Sequence, residues 1–141
     1  MDPGFWAEAH GAIVHFPIAL TFFAALCDTV ALPLWSRPVA GQLRTASGIA
    51  LGCSALGGIG AAVSGLLMTR GDLLGHGALR LHHLFAWPAL GLLVAAAAWR
   101  VLRWNSGTRG QHVVYLVVLF TLTGLVAAAG RWGGQLGQAY P

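Results

Sequence analysis

Four apolar stretches, each long enough to cross a lipid bilayer, constrain this chain more than any other feature. They lie near Ala12–Leu34, Leu43–Met68, Leu79–Leu102 and His112–Gly130, and a hydrocarbon core of ~30 Å needs about 20 helical residues. Lipid offers no partner to a bare peptide group, so such stretches span as helices whose backbone bonds close internally. The connections are short: Trp35-Ser36-Arg37-Pro38 with Gly41, then Thr69-Arg70-Gly71-Asp72, then Arg103-Trp104-Asn105-Ser106-Gly107. Short connections place successive helices antiparallel. The expected fold is all-α, an integral-membrane up-and-down four-helix bundle formed as a single transmembrane domain over residues 1–141.

Composition agrees with a lipid solvent. The chain is 57% hydrophobic and 9% charged, against about 25% charged residues in soluble domains. Its formal charge is +4, from eight basic and four acidic residues. The basic residues are all arginines that flank apolar runs and form no stripe with interleaved aromatics, so nucleic acid is not an expected partner. The first stretch reads as a retained span and not as a secretion signal, because Met1-Asp2 and Glu8 give no positive leading region and no A-x-A site follows.

Arginine bias orients the bundle. Arg37, Arg44, Arg100, Arg103 and Arg109 fall at one end, and Arg70, Arg80 and Arg131 at the other, together with Asp2, Glu8 and Asp72. The positive-inside rule puts the five-arginine end in the cytoplasm. The expected location is then the bacterial inner membrane, multi-pass, with both termini periplasmic. Trp35, Trp99 and Trp104 mark one interface, and Trp6 and Trp132 the other, as in an aromatic belt.

The same threading brings five of the six histidines to one end. His10 and His15 open the first span, and His76, His82 and His83 lie at the entry to the third. Imidazole is the commonest protein ligand for metals, and ionisable groups inside a membrane are functional by default. His10 and His15 differ by ~7.5 Å of rise and about 140° of rotation on a helix, so a regular helix cannot turn both to one ion. With Pro17 in a first helical turn, His15 is the expected internal ligand, and His10 folds back toward the site or remains among headgroups.

His82 and His83 project about 100° apart, so only one points fully inward. His82 shares a stripe with Ala86, Ala89 and Ala96, and His83 with Trp87, Leu90 and Val94, aligned also with His76 and Arg80. Small residues facing neighbouring helices favour His82, but the alignment of His83 leaves the choice open. Two facing imidazoles can fill both axial positions of haem b, which then transfers electrons and does not bind oxygen. Arg80, Arg70 or Arg131 could pair with its propionates. His82, His83, His10 and His76, with Asp72 nearby, could instead hold copper or zinc. A third possibility is interfacial histidines without any cofactor.

Other signals are quieter. Asp28 lies within the first span near the arginine-rich end and needs a partner, with Arg44, Arg100 and Arg103 as candidates. His112 opens the fourth span at that end and reads as interfacial. Cys27 and Cys53 belong to no C-x-x-C motif and read as packing residues. The second stretch carries small residues at Gly48-x3-Gly52, Gly57-x3-Ala61-x3-Gly65 and Gly60-x3-Ser64, which suit close helix packing. Gly130, Gly133, Gly134 and Gly137 are expected to break the fourth helix into an irregular tail. No nucleophile with a base and no phosphate-binding glycine loop stands out.

The opening His10-x4-His15-Phe16-Pro17-Ile18-Ala19-Leu20, with Asp28 on the same helix, Ser64-Gly65 closing the second, a histidine opening the third and Gly133-Gly134 after the fourth, resembles a bacterial family of small four-helix membrane proteins known as a domain of unknown function. The resemblance spans almost the whole chain. Some relatives are joined to redox modules such as Rieske-type domains, which implies electron transfer. Where relatives continue as Leu-Val-Tyr-x-His-Gly, this chain reads Gln135-Leu136-Gly137-Gln138-Ala139-Tyr140, so it has no tail histidine to act as a ligand. The combined expectation is a non-catalytic electron-transfer subunit holding bis-histidine haem b, with His15 and one of His82 or His83 as ligands. Its expected partners are the lipid bilayer, quinol or quinone, other membrane-complex subunits and a periplasmic redox protein. A copper-binding membrane protein and a cofactor-free assembly subunit are the alternatives.

Overall fold

The computed structural model describes the backbone of residues 3–103 and 107–139, and side chains for 4–103 and 107–136. Four helices follow in order: α1 Pro3–Ala31, α2 Pro38–Met68, α3 Gly77–Leu102 and α4 Arg109–Ala139. All four are long and apolar enough to cross a membrane. This is the four-helix membrane bundle expected from the spans.

Local chemistry accounts for the helix boundaries. Pro38 starts α2, where its fixed φ and missing N–H cost nothing, after Arg37 in extended conformation. At the start of α4, Thr108 and Gln111 form a capping box. The Gln111 N–H donates to Thr108 Oγ1 at 3.3 Å, and the Thr108 N–H to Gln111 Oε1 at 3.1 Å. The turn between α2 and α3 needs left-handed backbone at Gly71, Gly75 and Gly77 and also at Arg70. At Gly75 a Cβ would lie 2.8 Å from the Arg80 nitrogen, so no other residue fits.

Two boundaries depart from the sequence reading. α1 begins at Pro3, so Pro17 sits in mid-helix and not in a first turn. The Thr21 hydroxyl and the Ser54 hydroxyl of α2 each lie 2.8 Å from the Pro17 carbonyl and 2.8 Å from each other, so two hydroxyl protons are shared over three close contacts beside the proline. α4 continues through Gly130, Gly133 and Gly134 without breaking, because in a bundle small residues serve close packing and remain helical.

Packing is uneven around the bundle. α1 packs chiefly on α2 and α3 on α4, while the two hairpins meet more thinly, α2 on α3 and α1 on α4. α1 and α3 stand diagonally and run in the same direction. The core is built from Ala24, Ala25, Leu51, Leu93, Ala96, Leu119 and Leu122, with their neighbours. Large apolar side chains such as Leu26, Leu56, Leu84 and Val114 face outward, as a lipid-facing surface requires.

The two hairpins are repeats of one design. Buried positions Pro17, Thr21, Ala24, Ala25 and Asp28 of α1 recur as buried Ala89, Leu93, Ala96, Ala97 and Arg100 of α3, each 72 residues later (89 − 17 to 100 − 28). Buried Ser47, Gly48, Leu51 and Ser54 of α2 recur as Tyr115, Leu116, Leu119 and Leu122 of α4, each 68 later (115 − 47 to 122 − 54). Because α1 and α3 run the same way, the repeats are parallel and related by a pseudo-two-fold axis along the bundle.

Candidate functional site

One histidine from each hairpin turns inward at the end where α1 and α3 begin, and the two are equivalent under the repeat (82 − 10 is again 72). His10 is half-buried, with Nδ1 2.9 Å from the Ala61 carbonyl and 3.1 Å from Ser64 Oγ of α2. His82 is half-buried, with Nδ1 2.9 Å from the Ala129 carbonyl of α4. A carbonyl can only accept, so Nδ1 carries the proton in both rings and the neutral imidazole keeps its lone pair on Nε2.

A glycine makes room for each ring. A Cβ on Gly65 would come within 3.1 Å of His10 Cε1, and one on Gly133 within 3.2 Å of His82 Nδ1. Gly65 follows Ala61 by four residues, as Gly133 follows Ala129, so each helix offers its carbonyl and its gap on one face. Hydrogen-bonding Nδ1 to a carbonyl while leaving Nε2 free is how proteins orient metal-ligating histidines.

The remaining sequence candidates fall elsewhere. His15 is exposed on the outer face of α1, so the inward histidine of that helix is His10. On a regular helix the two histidines point about 140° apart, and the sequence reading favours His15. The helix starts earlier than that reading places it and carries His10 well inside it. His83 is half-buried, its ring 5.8 Å from that of His82 and 5.6 Å from that of Trp87, and its Nδ1 is buried without a hydrogen-bond partner among the described residues. Trp87 is tethered by its indole N–H to the Leu73 carbonyl at 3.0 Å.

His76 is 94% exposed and stands 3.5 Å from Asp72. The Gly75 N–H donates to Asp72 at 2.8 Å and holds that carboxyl below the usual carboxylate range. Asp72 is therefore engaged in its turn. Arg70, Arg80 and Arg131 are exposed. Among the described residues, no three His, Cys, Asp or Glu side chains gather as a metal cage. Cys27 and Cys53 are free thiols.

The opposite end holds a buried polar network. Asp28 is fully buried, paired with Arg100 of α3 and accepting from Ser47 Oγ at 2.5 Å. Arg100 also donates to the Arg44 carbonyl at 3.1 Å and lies over the Tyr115 ring at 4.9 Å. Asp28 thus takes Arg100 from the three arginines offered by the sequence. His112 is buried and not interfacial: its Nε2 donates to the Asp28 carbonyl at 2.9 Å, a contact no linear spacing could reveal. Trp104, one of the aromatic-belt residues, lies outside the described residues.

Comparison with known proteins identifies a family. A family model described as Predicted membrane protein (DUF2231) matches residues 7–140. No curated protein and no solved structure matches the chain. The family match takes in both histidine-bearing hairpins and the buried pair, and the chain belongs to the DUF2231 family of predicted membrane proteins.

Proposed function

We propose that this membrane protein binds haem b between its two hairpins, with His10 and His82 as axial ligands, and serves as an electron-transfer subunit of a larger complex. One observation carries the reading: two imidazoles at equivalent positions of a repeat, each with Nδ1 hydrogen-bonded to a carbonyl of its own hairpin. A haem iron needs only two protein donors, whereas a structural zinc site needs about four. The thin packing between hairpins favours a group inserted there over one inserted within a hairpin. Bound haem would supply one-electron chemistry. The chain's residues would set its environment through burial and through the two Nδ1 bonds, which raise ligand basicity. Quinol and a periplasmic redox protein are the proposed donor and acceptor classes, in an inner-membrane orientation with both termini outside.

A second reading has its own observation. The unpartnered Nδ1 of His83, beside His82, offers a third nitrogen for copper. Visible spectra of the purified full chain, oxidised and reduced, with metal analysis on the same sample, separate the readings. The haem reading expects bis-imidazole bands that are lost in His10→Ala and in His82→Ala and retained in His15→Ala. Stoichiometric copper lost with His83→Ala would replace it. Absence of both groups would leave a cofactor-free assembly subunit.

A further inference from the structure

The end of the bundle away from His10 and His82, where His112 packs on Asp28, carries unspent cationic donors. Asp28 is the one carboxylate described there, and Arg100 already neutralises it. Arg44 lies flat over Trp35 at 4.6 Å and Arg103 over Trp99 at 5.7 Å, and neither has a carboxylate partner among the described residues. Among the described residues, Arg44 Nε and Arg100 Nε are both buried without a hydrogen-bond acceptor. The Arg100 side chain is only 8% exposed, so water cannot freely satisfy it, and an unmet guanidinium donor away from water is costly.

These groups line one small cleft between α2, α3 and α4, bounded by Arg44, Arg100, Arg103, Thr108, Gln111 and Tyr115. The cleft is small, with a cavity volume of about 20 Å³, and opens to the surface, so it can receive an oxygen or two of a group that sits at its mouth. Every lining donor suits an anion, and guanidinium forks match tetrahedral phosphate oxygens in geometry as well as charge. Trp35 and Trp99 place the cleft at the depth of lipid headgroups.

We infer that this cleft binds a phosphate group through Arg44, Arg100 and Arg103, supplied by an acidic phospholipid headgroup or by free phosphate. The cleft is independent of whatever the histidine end binds. Purified full chain in detergent is titrated with phosphatidylglycerol, phosphatidylcholine or inorganic phosphate, followed by thermal unfolding and native mass spectrometry. Arg44→Gln is compared with Arg109→Gln, an equal charge change at an exposed residue outside the cleft.

Phosphatidylglycerol is expected to raise Tm saturably in the unmodified protein and in Arg109→Gln, and to bind Arg44→Gln about tenfold more weakly, as loss of a charge-assisted bond implies. Arg44→Lys, which keeps charge but loses the fork, should fall between and guards against a misfolded Gln variant. If inorganic phosphate reproduces the shift and competes with the lipid, the group is recognised in either form. If only the lipid acts, its headgroup is the source. Equal weakening in Arg44→Gln and Arg109→Gln, or no selectivity over phosphatidylcholine, would overturn the site.

Discussion

The two hairpins share a frame and differ where they approach each other. At the histidine end they are alike: His10 with Ala61 and Gly65 in one, His82 with Ala129 and Gly133 in the other. Eighteen residues along each first helix (28 − 10 and 100 − 82) they are opposite, with Asp28 in one and Arg100 in the other. Two aspartates or two arginines there would bury like charges near a common axis, which is prohibitive in lipid. One of each forms a pair. Identical imidazoles with one carbonyl partner each carry no such penalty. The repeat therefore persists at the histidines and is broken where electrostatics forbids it.

The same contrast yields experiments of decreasing effect. Breaking the clasp between hairpins comes first. Asp28→Ala or Arg100→Leu alone leaves an uncompensated buried group and should cost about 3–5 kcal/mol, whereas the double variant should recover most of it. Thermal unfolding of the three variants in one detergent measures this, and a double variant as unstable as either single one would show that the pair is not the clasp.

Filling the gaps beside the inward rings tests their equivalence. Gly65→Leu and Gly133→Leu must each displace an imidazole and should each cost about 1–3 kcal/mol by overpacking. Unequal losses would mean that only one hairpin depends on its ring's seat. The smallest effect lies mid-membrane. Thr21 and Ser54 share a hydrogen bond at 2.8 Å, while their repeat equivalents are Leu93 and Leu122, both buried. If the polar pair merely replaces leucine packing, Thr21→Val or Ser54→Ala should cost only about 0.6 kcal/mol, as membrane hydrogen bonds do on average. A loss of unfolding free energy above ~2 kcal/mol, beyond the usual range for such bonds, would make the pair a structural centre of the first hairpin.

The spans, the antiparallel order and the gathering of histidines at one end were legible because hydropathy and short loops are linear signals. The repeat was not, since most equivalent positions hold different residues, such as Pro17 against Ala89 or Ser47 against Tyr115. What recurs is burial, which appears only once the helices pack. The spacing of His10 and Asp28 matched to that of His82 and Arg100 was the one linear clue. The inward histidine of α1 was misjudged for a related reason: rotation is set by contacts with α2, and the helix start moved nine residues, from 12 to 3.

Apolar length alone determined that this chain is a four-helix membrane bundle, because lipid leaves the backbone no other way to satisfy itself. The order of the spans and their short connections determined which residues share each end. Only the tertiary structure decided that His10, and not His15, turns toward the bundle, that Arg100 answers Asp28, and that His112 is buried. Those outcomes depend on helix rotation and on diagonal neighbours, and a sequence records neither until helices pack against one another.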